Sequence, residues 1–262
     1  MILVKKLGLA LLLAAASVLA AAQPAPVVKK PQVDTPKNIL FVGNSYFYYN
    51  DSLHNHVRRM VDAAGLLPEK QMHYKSATIG GAPLAEQDVK GLLTPGRLGK
   101  EPFQVVILQG NSGAALSDKR RQSFHNKVVE FNGDIQAAGA KTALYLTHAY
   151  VAPNKNASPD MIRKVEDLYV SVGNEVGALV IPVGLAFEES YRRRPDFRLH
   201  KDYDGSHPNM NGTYLAACVV FASLYGKSPV GNSYDYFGAV DKASAAYLQQ
   251  VAWDTVQKFY GR

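Results

Sequence analysis

Three residues that together could activate a nucleophile stand at opposite ends of the sequence. Ser45 follows an apolar run at residues 39–42 that ends in Gly43, whereas Asp204 and His207 share a polar loop near the other end. A carboxylate that orients an imidazole, which in turn takes the proton of a serine hydroxyl, makes that serine nucleophilic. The sequence therefore predicts Ser45 as the nucleophile, His207 as the general base and Asp204 as the residue that orients the base.

The elements around these residues predict a fold that returns repeatedly to one edge. Apolar runs typical of buried strands alternate with helical patterns about five times, at residues 39–42, 71–77, 103–108, 142–147 and 178–183. This alternation predicts an α/β domain with a parallel sheet and helices on both faces. The carboxyl ends of parallel strands share one edge, where such folds bind their ligands. Four residues follow predicted strand ends and are expected at that edge: Ser45, Gly81, Asn111 and His148.

An acyl-transfer site also needs donors for the negative charge that develops on the substrate oxygen. Ser45 lies between a strand and a predicted helix, so its backbone N–H is free to face an anion. Gly81 and Asn111 follow the second and third predicted strands. We therefore expect the N–H groups of Ser45 and Gly81 and the side-chain amide of Asn111 to form an oxyanion hole.

The tripeptide Gly-Asn-Ser is by itself a weak signal, because it begins at Gly43, at Gly110 and at Gly231. Ser112, in the second copy, follows a predicted strand, but no helix begins directly after it. Ser233, in the third copy, follows no strand. Ser45 combines a strand end with a helix start, and the sequence therefore favours it over the other two serines.

The order of these motifs resembles that of a known superfamily. Gly43-Asn44-Ser45, Gly81, Gln109-Gly110-Asn111 and Asp204-x-x-His207 are similar to the conserved blocks of the SGNH (GDSL-like) hydrolases, in a bacterial branch with Gly-Asn-Ser in place of Gly-Asp-Ser. The resemblance implies a flavodoxin-like three-layer α/β/α fold with a parallel sheet of about five strands. It also implies ester hydrolysis without a metal or cofactor, with the same residues in the roles given above.

The third block departs from the usual pattern of the superfamily. Residues 109–112 read Gln-Gly-Asn-Ser, where many members have Gly-x-Asn-Asp. They are also similar to the Gln-Gly-Glu stretch of carbohydrate acetylesterases in the superfamily. Gln109 is therefore an alternative to Asn111 as oxyanion donor, and Gly80 is an alternative to Gly81. The side chains expected to contact the substrate are those of Asn44, Gln109 and His148.

The N-terminal residues have the pattern of an export signal. A basic start precedes an apolar run at residues 7–22 that is short for a membrane-spanning helix and ends in small residues. We expect a signal peptide at residues 1–22, a linker rich in Pro, Ala and Val at residues 23–37, and one hydrolase domain at residues 38–262. The mature protein is then expected to be periplasmic or secreted, with no stable membrane insertion after cleavage.

Charge and cysteine content exclude several classes of function. The chain carries 29 basic and 22 acidic residues, and the loss of Lys5 and Lys6 with the signal leaves 27 − 22 = +5. The basic residues are scattered and match no nucleic-acid-binding module, so no nucleic-acid partner is expected. The single Cys218 excludes an internal disulfide.

Together the patterns predict an exported serine esterase that hydrolyses small acyl esters, with an acetyl group on a carbohydrate as the favoured substrate. Its partner is then a small-molecule or glycan ester, and no metal or cofactor is expected. Two alternatives remain open. One is a lipase or thioesterase that acts on longer acyl chains, and the other is a non-catalytic glycan-binding envelope protein of the same fold.

Overall fold

Five parallel strands form the centre of the molecule in a computed structural model that describes residues 24–262. The predicted signal peptide lies outside the described residues. The strands are β1 (Asn38–Gly43), β2 (His73–Thr78), β3 (Val105–Leu108), β4 (Lys141–Tyr145) and β5 (Leu179–Ile181). Their order in the sheet is β2-β1-β3-β4-β5, and every pairing is parallel. This order is flavodoxin-like, and it confirms the predicted α/β fold with about five parallel strands.

Helices cover both faces of the sheet and complete three layers. They are α1 (Ser45–Tyr48), α2 (Leu53–Ala63), α3 (Val89–Leu92), α4 (Asp118–Ala137), α5 (Met161–Val176), α6 (Val183–Arg193), α7 (Met210–Tyr225) and α8 (Lys242–Tyr260). Alternate strand residues point to opposite faces. Ile39 and Phe41 of β1 join the core beneath α2, α6, α7 and α8, whereas Leu40 and Val42 join the core beneath α3, α4 and α5.

The helix α7 is buried along almost its whole length. All residues from Gly212 to Leu224 are buried, as expected for a helix that is apolar on every side. Its single thiol, Cys218, is fully buried, and burial raises the pKa of Cys218 far above its ordinary value. The thiol therefore remains protonated and serves as a packing group.

The segment predicted as a linker is packed against the domain from residue 24 onward. The Val27 N–H donates to the Asn174 side chain (2.8 Å), and the Asn174 side chain donates to the Ala25 carbonyl (2.9 Å). Farther along, the Tyr225 hydroxyl donates to the Pro36 carbonyl (2.9 Å). Composition alone suggested a free linker, because a proline-rich strand has few backbone bonds of its own. Here side chains of the domain supply them.

The active edge of the sheet is set by its topology. The chain leaves β1 and β3 in opposite directions, which opens a crevice at the carboxyl ends of these two neighbouring strands. Ser45 follows β1 directly, and Asn111 follows β3 within a few residues. Within residues 24–262, no helix is both long and apolar enough to span a bilayer.

Two helical glycines should respond in opposite ways to the same substitution. A methyl group on Gly184, in the first turn of α6, would overlap the backbone carbonyl of Thr147, whereas one on Gly133 of α4 would meet open space. We expect Gly184→Ala to lower the free energy of unfolding by about 1–3 kcal/mol through overpacking. Gly133→Ala should raise it by about 0.5–1 kcal/mol, since alanine loses less backbone entropy in a helix. Urea unfolding of both variants measures the difference, and a shift of equal sign would contradict the packing described.

Candidate active site

Ser45 is placed by a strand end and a very short helix. It is the first residue of α1, directly after the capping residue Asn44, whose side-chain oxygen accepts the Tyr46 N–H (3.4 Å). The N–H of a first helical residue has no partner within the helix. Within the part of the chain that the structure describes, the Ser45 N–H also has no other acceptor. The side chain of Ser45 thus reaches the edge of the sheet with an unpaired backbone donor beside it.

The residues predicted as nucleophile, base and orienting carboxylate are joined in series by hydrogen bonds. Ser45 Oγ is 2.9 Å from His207 Nε2, and His207 Nδ1 is 2.5 Å from Asp204 Oδ2. Because Nδ1–H donates to the carboxylate, Nε2 is left as the acceptor for the serine proton. The fold thus brings together residues that are 162 positions apart in the sequence.

The loop that carries the base is shaped by Asp204. Its Oδ1 accepts the backbone N–H groups of Ser206 (2.9 Å) and His207 (3.0 Å), while Oδ2 faces the imidazole. Partial burial opposes ionisation, but the hydrogen bonds from His207 and the two amides outweigh it and hold the pKa of Asp204 below its ordinary value. Gly205 lies between them with a φ of +59°, and a Cβ there would overlap the Val151 carbonyl. The position therefore requires glycine.

His148 lies under this loop and has no exposed surface, so the expectation that it contacts the substrate is corrected. Its ring stacks between Tyr46 (4.2 Å between ring centres) and Phe187 (4.3 Å), and its Nε2–H donates to the Ser206 carbonyl (2.8 Å). Burial lowers the pKa of His148 far below its ordinary value, so the ring is neutral. His148 supports the loop of His207 from below.

Asn44 and Gln109 form a buried pair that joins the ends of β1 and β3. Gln109 Oε1 accepts the Asn44 N–H (3.0 Å), and Gln109 Nε2 donates to Asn44 Oδ1 (3.0 Å) and to the Gly110 carbonyl. Both side chains are almost fully buried, so the structure does not place them against a substrate as expected. Both protons on Gln109 Nε2 are already used, which also removes Gln109 as an oxyanion donor. A Cβ at Gly43 would overlap the Gln109 side chain, so close approach requires glycine there.

Asn111 and the glycine turn provide the remaining donors. Among residues 24–262, the Asn111 side chain has no hydrogen-bond partner, and neither do the N–H groups of Gly80 and Gly81. Gly81 has a φ of +69° in a turn closed by the Ala82 N–H and the Ile79 carbonyl (3.2 Å). This is the position of a type II turn that favours glycine.

That turn is bonded to the residue before Ser45, because Asn44 Nδ2 donates to the Ala82 carbonyl (3.1 Å). The unpaired amides of the turn are therefore held in the neighbourhood of Ser45. Gly81 and Asn111, both predicted as oxyanion donors, remain available for that role, as does Gly80. The pairing of Gln109 leaves Asn111 as the side-chain donor of the third block.

Tyr49 and Asn50 contact the base and its loop, and the sequence analysis did not assign them to the site. The Tyr49 ring stacks on the His207 ring with 4.3 Å between centres and 14° between planes. Asn50 donates to the Pro208 carbonyl (3.0 Å) and to the Thr213 hydroxyl (2.8 Å), which ties the nucleophile segment to the loop of the base. A stacked aromatic face also stabilises the imidazolium that forms when the base takes a proton.

A backbone signal could have pointed to Asn50. Asn50, Asp51 and Ser52 all have positive φ values of 54°, 70° and 60°. Asn and Asp are the non-glycine residues that tolerate this region best, so Asn-Asp before a helix is a cue for such a turn. Ser52 occupies the N-cap position of α2, but its side chain makes no capping bond.

His200 is a second neutral histidine beneath the same loop. Its Nε2–H donates to the Ala149 carbonyl (3.0 Å), and its Nδ1 accepts from the Tyr191 hydroxyl (2.8 Å). Burial lowers the pKa of His200 to about 4. Its backbone pairs with Pro208 across the loop, so the ring anchors the strand that leads into His207.

The arrangement as a whole contains the kinds of group that acyl transfer to a serine requires. The described residues contain no group of three or more His, Cys, Asp or Glu side chains placed to hold a metal ion. What they contain is an oriented imidazole in contact with a serine hydroxyl, together with unpaired amides near that hydroxyl. This set of groups matches the requirements of a nucleophile, a base and an oxyanion site.

Several solved structures share the fold of this chain. A DUF4886 family protein from Bacteroides uniformis superposes with a TM-score of 0.67 at 17% identity, covering 83% of this chain and 93% of the other. A protein from Slackia heliotrinireducens assigned to the SGNH hydrolases superposes at 0.58 and 24% identity, covering 71% and 97%. The chain has the SGNH hydrolase fold. An acetyl xylan esterase, AlAXEase, also shares it, with a TM-score of 0.56 at 15% identity over 71% of this chain and 98% of the other.

The sequence comparisons add no closer relative. No protein-family model matches the chain, and no curated protein matches it either. Because the structural neighbours reported above are all less than 25% identical, what they establish is the fold. The predicted resemblance to the SGNH (GDSL-like) superfamily is thus confirmed at the level of the fold, and activity is argued from the site.

Substitution of Asn111 and Gln109 separates an oxyanion donor from a structural strut. Asn111→Ala should lower turnover of p-nitrophenyl acetate roughly 10²–10³-fold, as loss of one such donor does elsewhere. Its free energy of unfolding should stay within about 0.5 kcal/mol of wild type, because the side chain makes no hydrogen bond within the described residues. Gln109→Ala should instead lower the free energy of unfolding by about 1–3 kcal/mol, because it leaves buried polar groups of Asn44 without hydrogen-bond partners. A stable but inactive Gln109→Ala beside an active Asn111→Ala would reverse the two assignments.

The buried histidines should make the fold sensitive to acid. An unfolded histidine takes up a proton near pH 6.5, whereas His200 in the folded state does so only near pH 4. Between these values the unfolded state binds more protons, so the free energy of unfolding falls as pH drops from about 6.5 to about 4. His148 contributes in the same direction. Urea unfolding across this range should show a shallower slope for His200→Gln than for wild type. Equal slopes for the two proteins would contradict this account.

Proposed function

We propose that this protein is a serine esterase that hydrolyses small acyl esters by way of an acyl-enzyme. The single observation that carries the proposal is the line from hydroxyl to imidazole to carboxylate, with separations of 2.9 Å and 2.5 Å. Structural neighbours with the same fold include an acetyl xylan esterase, and that is consistent with the reaction class.

In the first half of the reaction, Ser45 Oγ attacks the carbonyl carbon of the ester while His207 Nε2 takes the hydroxyl proton. The carbonyl oxygen becomes an oxyanion that accepts from the N–H groups of Ser45 and Gly81 and from the Asn111 side chain. Collapse of this intermediate breaks the bond to the alcohol, which leaves with the proton from His207. The ionised Asp204 stabilises the imidazolium throughout.

In the second half, a water molecule gives a proton to His207 Nε2 and attacks the acyl carbon of the acyl-enzyme. A second oxyanion forms at the same donors and collapses, releasing the acid and returning the proton to Ser45 Oγ. The enzyme ends as it began, and no electron is exchanged with a cofactor. Every proton transfer passes through the one ring that Asp204 holds in place.

Exposed tyrosines beside the base support a sugar as the alcohol part of the ester. Tyr203 is 69% exposed and Tyr48 is 40% exposed, and the Tyr49 hydroxyl lies 3.4 Å from that of Tyr203. Aromatic rings with one apolar face and one polar tip suit the mixed surface of a carbohydrate. We therefore favour an acyl group, acetyl above all, on a glycan, over the longer acyl chains of a lipase or thioesterase.

We further propose that the protein is exported and acts in the periplasm or outside the cell. The support is the basic and apolar pattern of residues 1–22, which is that of a signal peptide. A location among envelope or environmental polysaccharides is consistent with a glycan ester as substrate.

The decisive experiment measures p-nitrophenyl acetate hydrolysis by the purified protein. Ser45→Ala should lower kcat at least about 10⁴-fold, and His207→Ala should lower it to a similar extent, because the two residues act as one unit. Ser233→Ala, in an exposed Gly-Asn-Ser copy, serves as the matched control and should retain wild-type turnover. Circular dichroism checks that each variant is folded.

Two results would overturn this proposal. If wild type and Ser45→Ala hydrolyse the ester at equal rates, Ser45 is not the nucleophile. If neither exceeds the rate in buffer on acetyl esters, the alternative of a non-catalytic glycan-binding protein replaces the esterase. Unchanged turnover in His207→Ala would remove that residue from the mechanism.

A further inference from the structure

A hollow of about 440 Å³ lies directly beside the third donor of the oxyanion site. Its polar lining residues are Asn111, Ser117, Lys119, Arg120 and Ser123, and apolar residues that include Leu84 and Phe124 line the rest. The two cationic side chains belong to the first turn of α4, and no carboxylate is part of the lining. The hollow therefore offers two positive charges and several hydroxyl and amide groups beside Asn111, the proposed oxyanion donor of the third block.

The two cations of the hollow have no acidic partner within residues 24–262, unlike other basic residues of α4. Arg121 pairs with Asp167 (2.5 Å), and Lys127 pairs with Glu130 (2.7 Å). Lys119 and Arg120 form no ion pair in the described part of the chain. Asp118 precedes them but lines a different hollow.

The position of these charges on the helix is itself unfavourable. The first turn of a helix carries the positive end of its dipole, where cations are destabilising and anions are stabilising. One N–H of this turn is already used, because the Arg120 N–H donates to the Ser117 side chain (3.4 Å). The charged donors that this turn offers a ligand are the side chains of Lys119 and Arg120.

Arg120 is directed toward the loop that follows β3 and contains Asn111. A Cβ built on Gly113 would lie 2.7 Å from a terminal nitrogen of the Arg120 guanidinium, so this group lies against the chain two residues after Asn111. A planar guanidinium there can bind a carboxylate through two parallel hydrogen bonds, with the Lys119 ammonium as a second charge.

We propose that this hollow binds a carboxylate carried by the ester substrate, and that the natural substrate is an O-acylated acidic sugar of the uronic acid type. The inference rests on the proposed esterase function and narrows its substrate class. The tyrosines near His207 offer a surface for the sugar ring, and the hollow beside Asn111 offers charge for its acid group.

The test compares two sugar esters that differ only in charge. The substrates are the O-acetyl derivative of methyl glucuronide as the free acid and as its neutral primary amide, with release of acetate as the readout. Wild type should show a kcat/KM about tenfold higher for the acid, which is the effect of one charge-assisted hydrogen bond. The double variant Lys119→Gln/Arg120→Gln should bring the ratio of the two kcat/KM values close to one. Because the ratio is taken within each variant, general losses of activity cancel.

Lys127→Gln is the matched control, since it removes a charge from the same helix two turns beyond the hollow. It should keep the wild-type ratio. A ratio near one in wild type, or an unchanged ratio in the double variant, overturns the carboxylate site. If Ser45-dependent hydrolysis of p-nitrophenyl acetate persists in that case, the esterase proposal stands alone.

If no ester is hydrolysed, the proposed esterase function fails. A binding measurement then tests separately whether the hollow binds a carboxylate. Titration of wild type with methyl glucuronide and with its amide, followed by NMR or calorimetry, should then show tighter binding of the acid. Loss of that preference in Lys119→Gln/Arg120→Gln would uphold the hollow as an anion site. Equal binding of the two sugars would overturn it.

Discussion

The site depends on the buried hydrogen-bonded pair of Asn44 and Gln109. The two residues follow neighbouring strands at the point where the chain departs in opposite directions, and they bond to each other twice (3.0 Å each). Asn44 also caps the helix that begins with Ser45 and holds the Ala82 carbonyl of the glycine turn. One pair thus fixes the nucleophile and the ends of three strands. Because its polar groups are buried, the loss of either partner would leave the other unsatisfied.

A cluster of buried aromatic rings holds the loop of His207 in position. Tyr46, one residue after the nucleophile, bonds to Ser206 (2.9 Å), one residue before the base, and stacks on His148. Nucleophile and base are therefore joined through their immediate neighbours as well as through their own contact. Of the three histidines here, only His207 is hydrogen-bonded to a carboxylate, while His148 and His200 face carbonyls in the interior. The same residue type thus suits the proposed base in one place and a neutral support of the loop in the others, according to its partners.

Much of this could be predicted from the sequence, because the relevant signals are local. Four apolar residues before Gly43 indicate a strand end, and the alternation of such runs with helical patterns indicates a parallel sheet whose ends meet. Once the ends meet, Ser45 and the pair of Asp204 and His207 have few other places to lie. The sequence also pointed to Gly81, whereas the need for glycine at position 205 emerged only from the structure, which shows positive φ at both.

What the sequence could not provide are roles that depend on which way a side chain is used. From its type and position, an amide side chain after β3 could be an oxyanion donor or a structural residue. Only the structure shows that the Gln109 amide is hydrogen-bonded to Asn44. His148 likewise follows a strand end, as a substrate-binding residue would, yet its ring is enclosed by Tyr46 and Phe187. Position along the chain determines the edge of the sheet, whereas the depth of a side chain below that edge depends on neighbours distant in sequence.

The contrast between a buried reacting centre and an exposed rim supports a small acyl group on a larger alcohol. Ser45 is only 7% exposed, whereas Tyr203 and Tyr48 present wide aromatic surfaces to solvent. A large exposed ring loses little by binding a sugar face and gains the area that is removed from water. An exposed aromatic surface is enough to bind a sugar ring that remains half solvated, but a long acyl chain needs an enclosed apolar channel. The hollow next to Asn111 carries two cations and two hydroxyls on a partly apolar wall, and these cations suit an acidic substituent on the alcohol part of the ester.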